Sequence, residues 1–137
     1  MALNFNHGTV QYRDRMAQVK DFGNLHINGY TPTDIDFIYD VRGEVFVIGE
    51  LKSTGARLPM GQLRMLTGLM AGLMEAGKEV VVLVGEHDTD PSENIDVGNV
   101  CVTDSWHSQD GAIIRMAYNG KTIKEASEAF IDDKAKK

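Results

Sequence analysis

Residues 80–84 read Val-Val-Val-Leu-Val, an apolar run without a polar interruption. A strand with one wet face alternates apolar and polar side chains, so an unbroken run of this composition fits a strand covered on both faces. It predicts a sheet sandwiched between helices, an α/β arrangement. The length agrees, because 137 residues of which 42% are hydrophobic can bury one core and are too few to suggest two. The expectation is a single domain over residues 1–137.

Local signals place the other elements around that strand. Residues 34–41 and 44–52 are rich in Ile, Val, Phe and Tyr and are separated by Arg42-Gly43, where glycine permits a positive φ. They read as a β-hairpin. From Met60 onward, Leu63, Leu66, Leu69, Met70 and Leu73 recur at helical spacing, and Gly77 suits the helix end. Residues 99–103 and 112–118 read as short strands. Thr122 and Glu125 fit a capping box that opens a last helix through Ile131. Val10, Met16, Ala17 and Val19 suit a short first helix, residues 25–32, 53–59 and 87–96 read as loops, and residues 134–137 read as a solvated basic tail. The expected fold is a mixed central sheet of four or five strands with helices on both faces.

Several function classes are disfavoured at this stage. No stretch approaches the roughly 20 apolar residues of a membrane span, and the start lacks a secretory layout, so a cytoplasmic protein without membrane partners is expected. One cysteine, Cys101, can neither staple the fold from within nor hold zinc alone, and its apolar strand predicts burial. The formal charge of −6 argues against extensive nonspecific nucleic-acid binding, although a cation held by carboxylates would offset part of it locally.

Side chains two apart on a strand share a face, so Asp34 and Asp36 point one way and Ile35, Phe37 and Tyr39 the other. The returning strand puts Glu50 and Lys52 together, with Val45, Val47 and Leu51 opposite. A two-residue turn at Arg42-Gly43 sets Asp36 opposite Gly49, and a three-residue turn is expected to set Asp34 opposite Glu50. Either way an aspartate and Glu50 are direct or diagonal neighbours, roughly 5–8 Å apart at Cβ. Such oxygen ligands suit Mg²⁺ or Mn²⁺ rather than zinc. A lysine beside them could assist a water or stabilise developing negative charge during phosphodiester hydrolysis. The competing reading is a solvated salt bridge worth under about 1 kcal/mol.

The segment Thr33-Asp34-Ile35-Asp36-Phe37-Ile38, with Val45-Phe46-Val47-Ile48-Gly49-Glu50-Leu51-Lys52 after the turn, resembles the core of the PD-(D/E)XK nuclease superfamily, which has a restriction-endonuclease-like fold. The order strand, hairpin return, helix, strand extends the likeness. The resemblance implies that Asp36 and Glu50 ligate a divalent metal, with Asp34 replacing or supplementing Asp36 and the Leu51 carbonyl joining them. It also implies that Lys52 assists the water or the transition state, that Gln62 belongs to the site, and that Asp14 is the acidic residue of a first helix. The implied activity is Mg²⁺-dependent hydrolysis of nucleic acid, DNA foremost, by an endonuclease-like enzyme for which a homodimer is plausible. A second reading stays open: a non-catalytic relative of that fold, of phage origin, acting as a protein-binding or regulatory module.

Other features have plainer readings. Met60, Met65, Met70 and Met74 fit core packing, and Gly68 with Gly72 fits close approach of a helix to the sheet. His87, Asp88 and Asp90, with His107 further on, read as exposed polar positions rather than a metal cluster. Arg57, Arg64, Lys121 and Lys124 read as ordinary surface charges.

Overall fold

The computed structural model describes residues 20–117 and 120–135. The expected first helix and Asp14 lie outside the described residues. Two compact units make up the chain, Met1–Thr33 and Asp34–Lys137. In the described part of the first, a short 3-10 turn over Gly23–Leu25 precedes a tight reversal at Asn28-Gly29. Both turn residues take positive φ, 52° and 82°, and Ile27 and Tyr30 exchange backbone hydrogen bonds of 2.9 and 2.8 Å. Asn-Gly is the dipeptide that adopts this turn at least cost.

The second unit is an α/β layer structure. Its five strands are β1 (Phe37–Val41), β2 (Val45–Ser53), β3 (Glu79–His87), β4 (Cys101–Gln109) and β5 (Ala112–Ala117), hydrogen-bonded in the order β1-β2-β3-β4-β5. Strands β2 and β3 run parallel and the other neighbours antiparallel, so the sheet is mixed. Helix α1 (Met60–Glu75) links the parallel pair and helix α2 (Ile123–Lys134) follows β5.

Alternation along the central strands separates two cores. Ile48, Val80 and Val82 pack with Leu66 and Met70 of α1, whereas Val47, Val81, Leu83, Val100 and Val102 pack with Ile123 and other residues of α2. Val80 to Val84 are all buried, which is why that run carries no polar side chain. No described helix is long and apolar enough to cross a membrane. The ends of the helices behave as their sequences require. At Gly77, with φ of 82°, Gly77 N donates to Met74 O and Lys78 N to Leu73 O, both at 2.9 Å, closing α1 in a Schellman motif. Thr122 and Glu125 form the reciprocal capping box that opens α2.

The hairpin takes the longer of its two expected turns, and this matters for the site. Its turn uses three residues, Arg42, Gly43 and Glu44, because Val41 pairs with Val45. That register ends at Phe37 opposite Gly49, so the next row outward brings Asp36, not Asp34, opposite Glu50. Strand β1 begins at Phe37 rather than at residue 34, for Leu51 N donates to Asp36 Oδ2 at 2.7 Å and a side chain there takes the acceptor's part in the ladder. Without strand geometry the alternation lapses: Ile35 packs on the α1 side and Phe37 on the α2 side.

Other corrections have similarly local causes. Strand β4 runs through Gln109 although residues 104–109 are largely polar, because Asp104 holds Arg115 and Ser108 meets Val80 N and Glu79. Gly68 and Gly72 face solvent, not the sheet, with no atom within 4 Å of a Cβ built on either. Met70 is buried and Met65 and Met74 flank the core, but Met60 is exposed. Cys101 is exposed because it opens β4 opposite Glu86, past the apolar part of the α1 face. Lys134 is not solvated tail: it ends α2 and lies 3.8 Å from Glu79.

Candidate functional site

Strand β2 changes character along the α1 face of the sheet. Phe46 and Ile48 pack into the core beneath α1, and the next two residues of the same parity are Glu50 and Lys52. The parallel register sets these four beside Val80, Val82, Val84 and Glu86 of β3 in turn. An apolar seam therefore becomes a charged one within two residues.

Glu50 lies inside that transition. It is only 7% exposed, and its Oε1 has no hydrogen-bond partner. Burial raises its pKa from 4.5 to about 7, nearby Asp36 and Asp34 add to the rise, and a side-chain hydrogen bond with Gln62 opposes it. A carboxyl poised near neutrality by burial and a like charge is a recurring property of functional sites. It is costly in a merely structural position, since an unpartnered buried acceptor forgoes about 1–3 kcal/mol.

The structure thus brings Asp36 and Gln62 to Glu50. Gln62 reaches it from the first turn of α1, and Asp36 is held by its 2.7 Å bond from Leu51 N. Asp34 acts on Glu50 only electrostatically and is exposed. Lys52 shares the face of Glu50, but its Nζ donates to Ala56 O at 2.6 Å and stands 3.8 Å from Glu86 Oε2. Glu86 is the residue that the sequence reading missed. Its parity with Val80, Val82 and Val84 put it on this face, but only the parallel register reveals that it neighbours Lys52.

Among the described residues no group of three or more His, Cys, Asp and Glu side chains could hold a metal ion. Two carboxylates remain a fitting partial set for a hard cation: the buried, unpartnered Oε1 of Glu50 lacks a positive partner, and carboxylate oxygens are the donors that Mg²⁺ prefers. In the 87–96 stretch, His87 Nδ1 accepts from Thr89 N and Asp90 accepts from both Ser92 N and Ser92 Oγ, so those side chains serve the turn. A cavity of about 370 Å³ is lined by Val41, Arg42, Glu44 and Glu79 at the other end of the strands. There Lys134 and Lys78 pair with Glu79 and Glu44. No known protein family matches the chain, nor does any curated protein or solved structure.

Proposed function

We propose that this chain is a divalent-metal-dependent nuclease that hydrolyses phosphodiester bonds of nucleic acid, with DNA as its substrate, through Asp36, Glu50 and Lys52. The observation that carries the reading is Glu50: a buried carboxylate with an unpartnered oxygen, raised to about 7, across the hairpin from Asp36 and two residues from Lys52 on one face. Mg²⁺ or Mn²⁺, when bound, supplies Lewis acidity and a water of lowered pKa. Glu50 and Asp36 would hold the cation, with the Leu51 carbonyl as a further oxygen donor. Because Glu50 is protonated up to about pH 7, binding displaces its proton, and affinity rises with pH through that range. The hydrogen bond with Gln62 favours the charged form and fixes the carboxyl. Lys52 supplies the positive charge for the phosphate as negative charge develops.

The reading places the protein in the cytoplasm, and a homodimer would widen the footprint of a chain whose charge is −6. Purified protein should nick plasmid or degrade single-stranded DNA with Mg²⁺ or Mn²⁺. Glu50→Ala and Lys52→Ala should each lower the rate by about 100-fold or more while remaining folded. Equal cleavage by variants and wild type would refute the reading.

One observation favours a non-catalytic protein-binding module of the same architecture: the Lys52 ammonium is already engaged by Ala56 and Glu86. That reading predicts no heat of Mg²⁺ or Mn²⁺ binding by calorimetry, and its other half is a specific protein partner.

A further inference from the structure

Lys52 ends the charged seam on a stem of four methylenes, and a lysine of that kind normally keeps about 2 kcal/mol of rotamer entropy. Here its ammonium is fixed from two sides. Ala56 O accepts from Nζ at 2.6 Å, and Glu86 Oε2 lies 3.8 Å away. The two side chains are 19% and 26% exposed, so solvent screens the pair only in part.

Glu86 is itself held. Its second oxygen, Oε1, accepts from Gly55 N at 3.2 Å, while Thr54 N donates to His87 O at 2.9 Å and carries the β2–β3 pairing past the strand end. Gly55 turns the chain at φ 84°, a conformation other residues resist, and this brings the Ala56 carbonyl back to the lysine of its own strand. Carboxylate, loop amide, loop carbonyl and ammonium form a closed arrangement. Ala56 O takes one N–H of the ammonium, and the Glu86 carboxylate adds an ion pair rather than a second hydrogen bond.

We propose that Glu86 is the positioning residue of Lys52: anchored by Gly55, its carboxylate holds the ammonium on the face it shares with Glu50. The catalytic consequence rests on the nuclease reading, whereas the pairing does not. An ordinary surface ion pair would leave both lysine dynamics and turnover unmoved.

Glu86→Gln separates charge from tether, since the amide oxygen can still accept from Gly55 N. In spectra selective for lysine ¹⁵Nζ, the wild-type protein should show a slowly exchanging Lys52 ammonium signal that disappears in Glu86→Gln, with the backbone spectrum retained. A Lys52 signal absent from the wild type, or unchanged in the variant, overturns the proposal whether or not the protein cleaves DNA. If the wild type cleaves, kcat should fall about tenfold in Glu86→Gln with KM within about twofold, and an unchanged kcat overturns the positioning role. A wild type that shows the signal but cleaves nothing sinks the nuclease reading and supports the pairing. Should Glu86→Gln fail to fold, Lys52→Met decides, because removing the ammonium must move the Glu86 carboxyl ¹³C resonance; a resonance that stays put overturns the pairing.

Discussion

Buried polar groups sit at both ends of the parallel pair β2–β3, and the two ends treat them differently. Where β3 begins, buried Ser108 accepts from Val80 N at 3.1 Å and donates to Glu79 Oε1 at 3.3 Å, and Lys134 lies 3.8 Å from the same oxygen. Every group in that chain has a partner. Toward the far end, Glu50 is as buried as Ser108, at 7% against 6% exposed, yet keeps an oxygen without one. Equal burial with unequal satisfaction separates a polar group that holds the fold from one that the fold merely tolerates. Tolerated polar groups mark places where stability has yielded to another requirement.

Opposite stability effects of one substitution at each end would sharpen this contrast most. Glu50 has its pKa raised by folding, so the stability it contributes is fully present below about pH 4.5 and is lost as pH rises through about 7. Replacing it removes that loss. Glu50→Gln should be more stable than wild type by about 2 kcal/mol at pH 8.5, allowing for solvent screening, and nearly equal at pH 4.5. Ser108→Ala should be less stable by about 1–3 kcal/mol at both pH values, because Val80 N is left without an acceptor. Urea titrations at the two pH values decide it, and a destabilised Glu50→Gln at pH 8.5 would break the comparison.

The glycine before Glu50 tests how firmly the hairpin sets the Asp36–Glu50 row. A Cβ at Gly49 would stand 1.8 Å from Phe37 Cε2, since the ring lies across the glycine. Gly49→Ala should therefore cost about 1–3 kcal/mol by overpacking. Because Phe37 adjoins Asp36, activity should fall further than the loss of folded protein accounts for. Phe37→Leu in the same chain should recover most of the stability, which melting curves of the single and double variants would show.

A smaller effect probes what satisfies Glu50. If Glu50 and Asp36 hold a cation as proposed, free Mg²⁺ at ten times its Kd should stabilise the folded chain by about 1.4 kcal/mol and raise the melting midpoint by roughly 4 °C. The rise should be larger at pH 8 than at pH 6, because Glu50 must lose its proton first, and chelator should reverse it. A rise of equal size in Glu50→Gln would place the cation elsewhere.

The helix-covered sheet, both helix ends and the pairing of Glu50 with Lys52 on one face were legible because each follows from local spacing. Residues 80–84 and the Thr122–Glu125 box needed no knowledge of distant contacts. Register was not legible. The turn length decided whether Asp36 faces Gly49 or Glu50, and the parallel β2–β3 alignment that makes Glu86 the neighbour of Lys52 appears nowhere in the spacing of either strand. Strand β4 was hidden for a related reason. Its polar residues look like loop until the groups that satisfy them, on β3 and β5, are in place.

The smallest expected effect concerns α1, whose inner face meets the core beside Glu50 and whose outer face the sequence misassigned. Gly68 and Gly72 lie mid-helix, exposed, with open space around a built Cβ. Neither approaches the sheet, so the only consequence of lacking a side chain is the backbone freedom lost on folding. Gly68→Ala and Gly72→Ala should each stabilise by about 0.5–1 kcal/mol, and the pair should add because the sites share no partner. Cleavage should be unchanged, as Gln62 is partly buried whereas both glycines are exposed. A loss of stability in either variant would mean that this face of α1 is covered in solution.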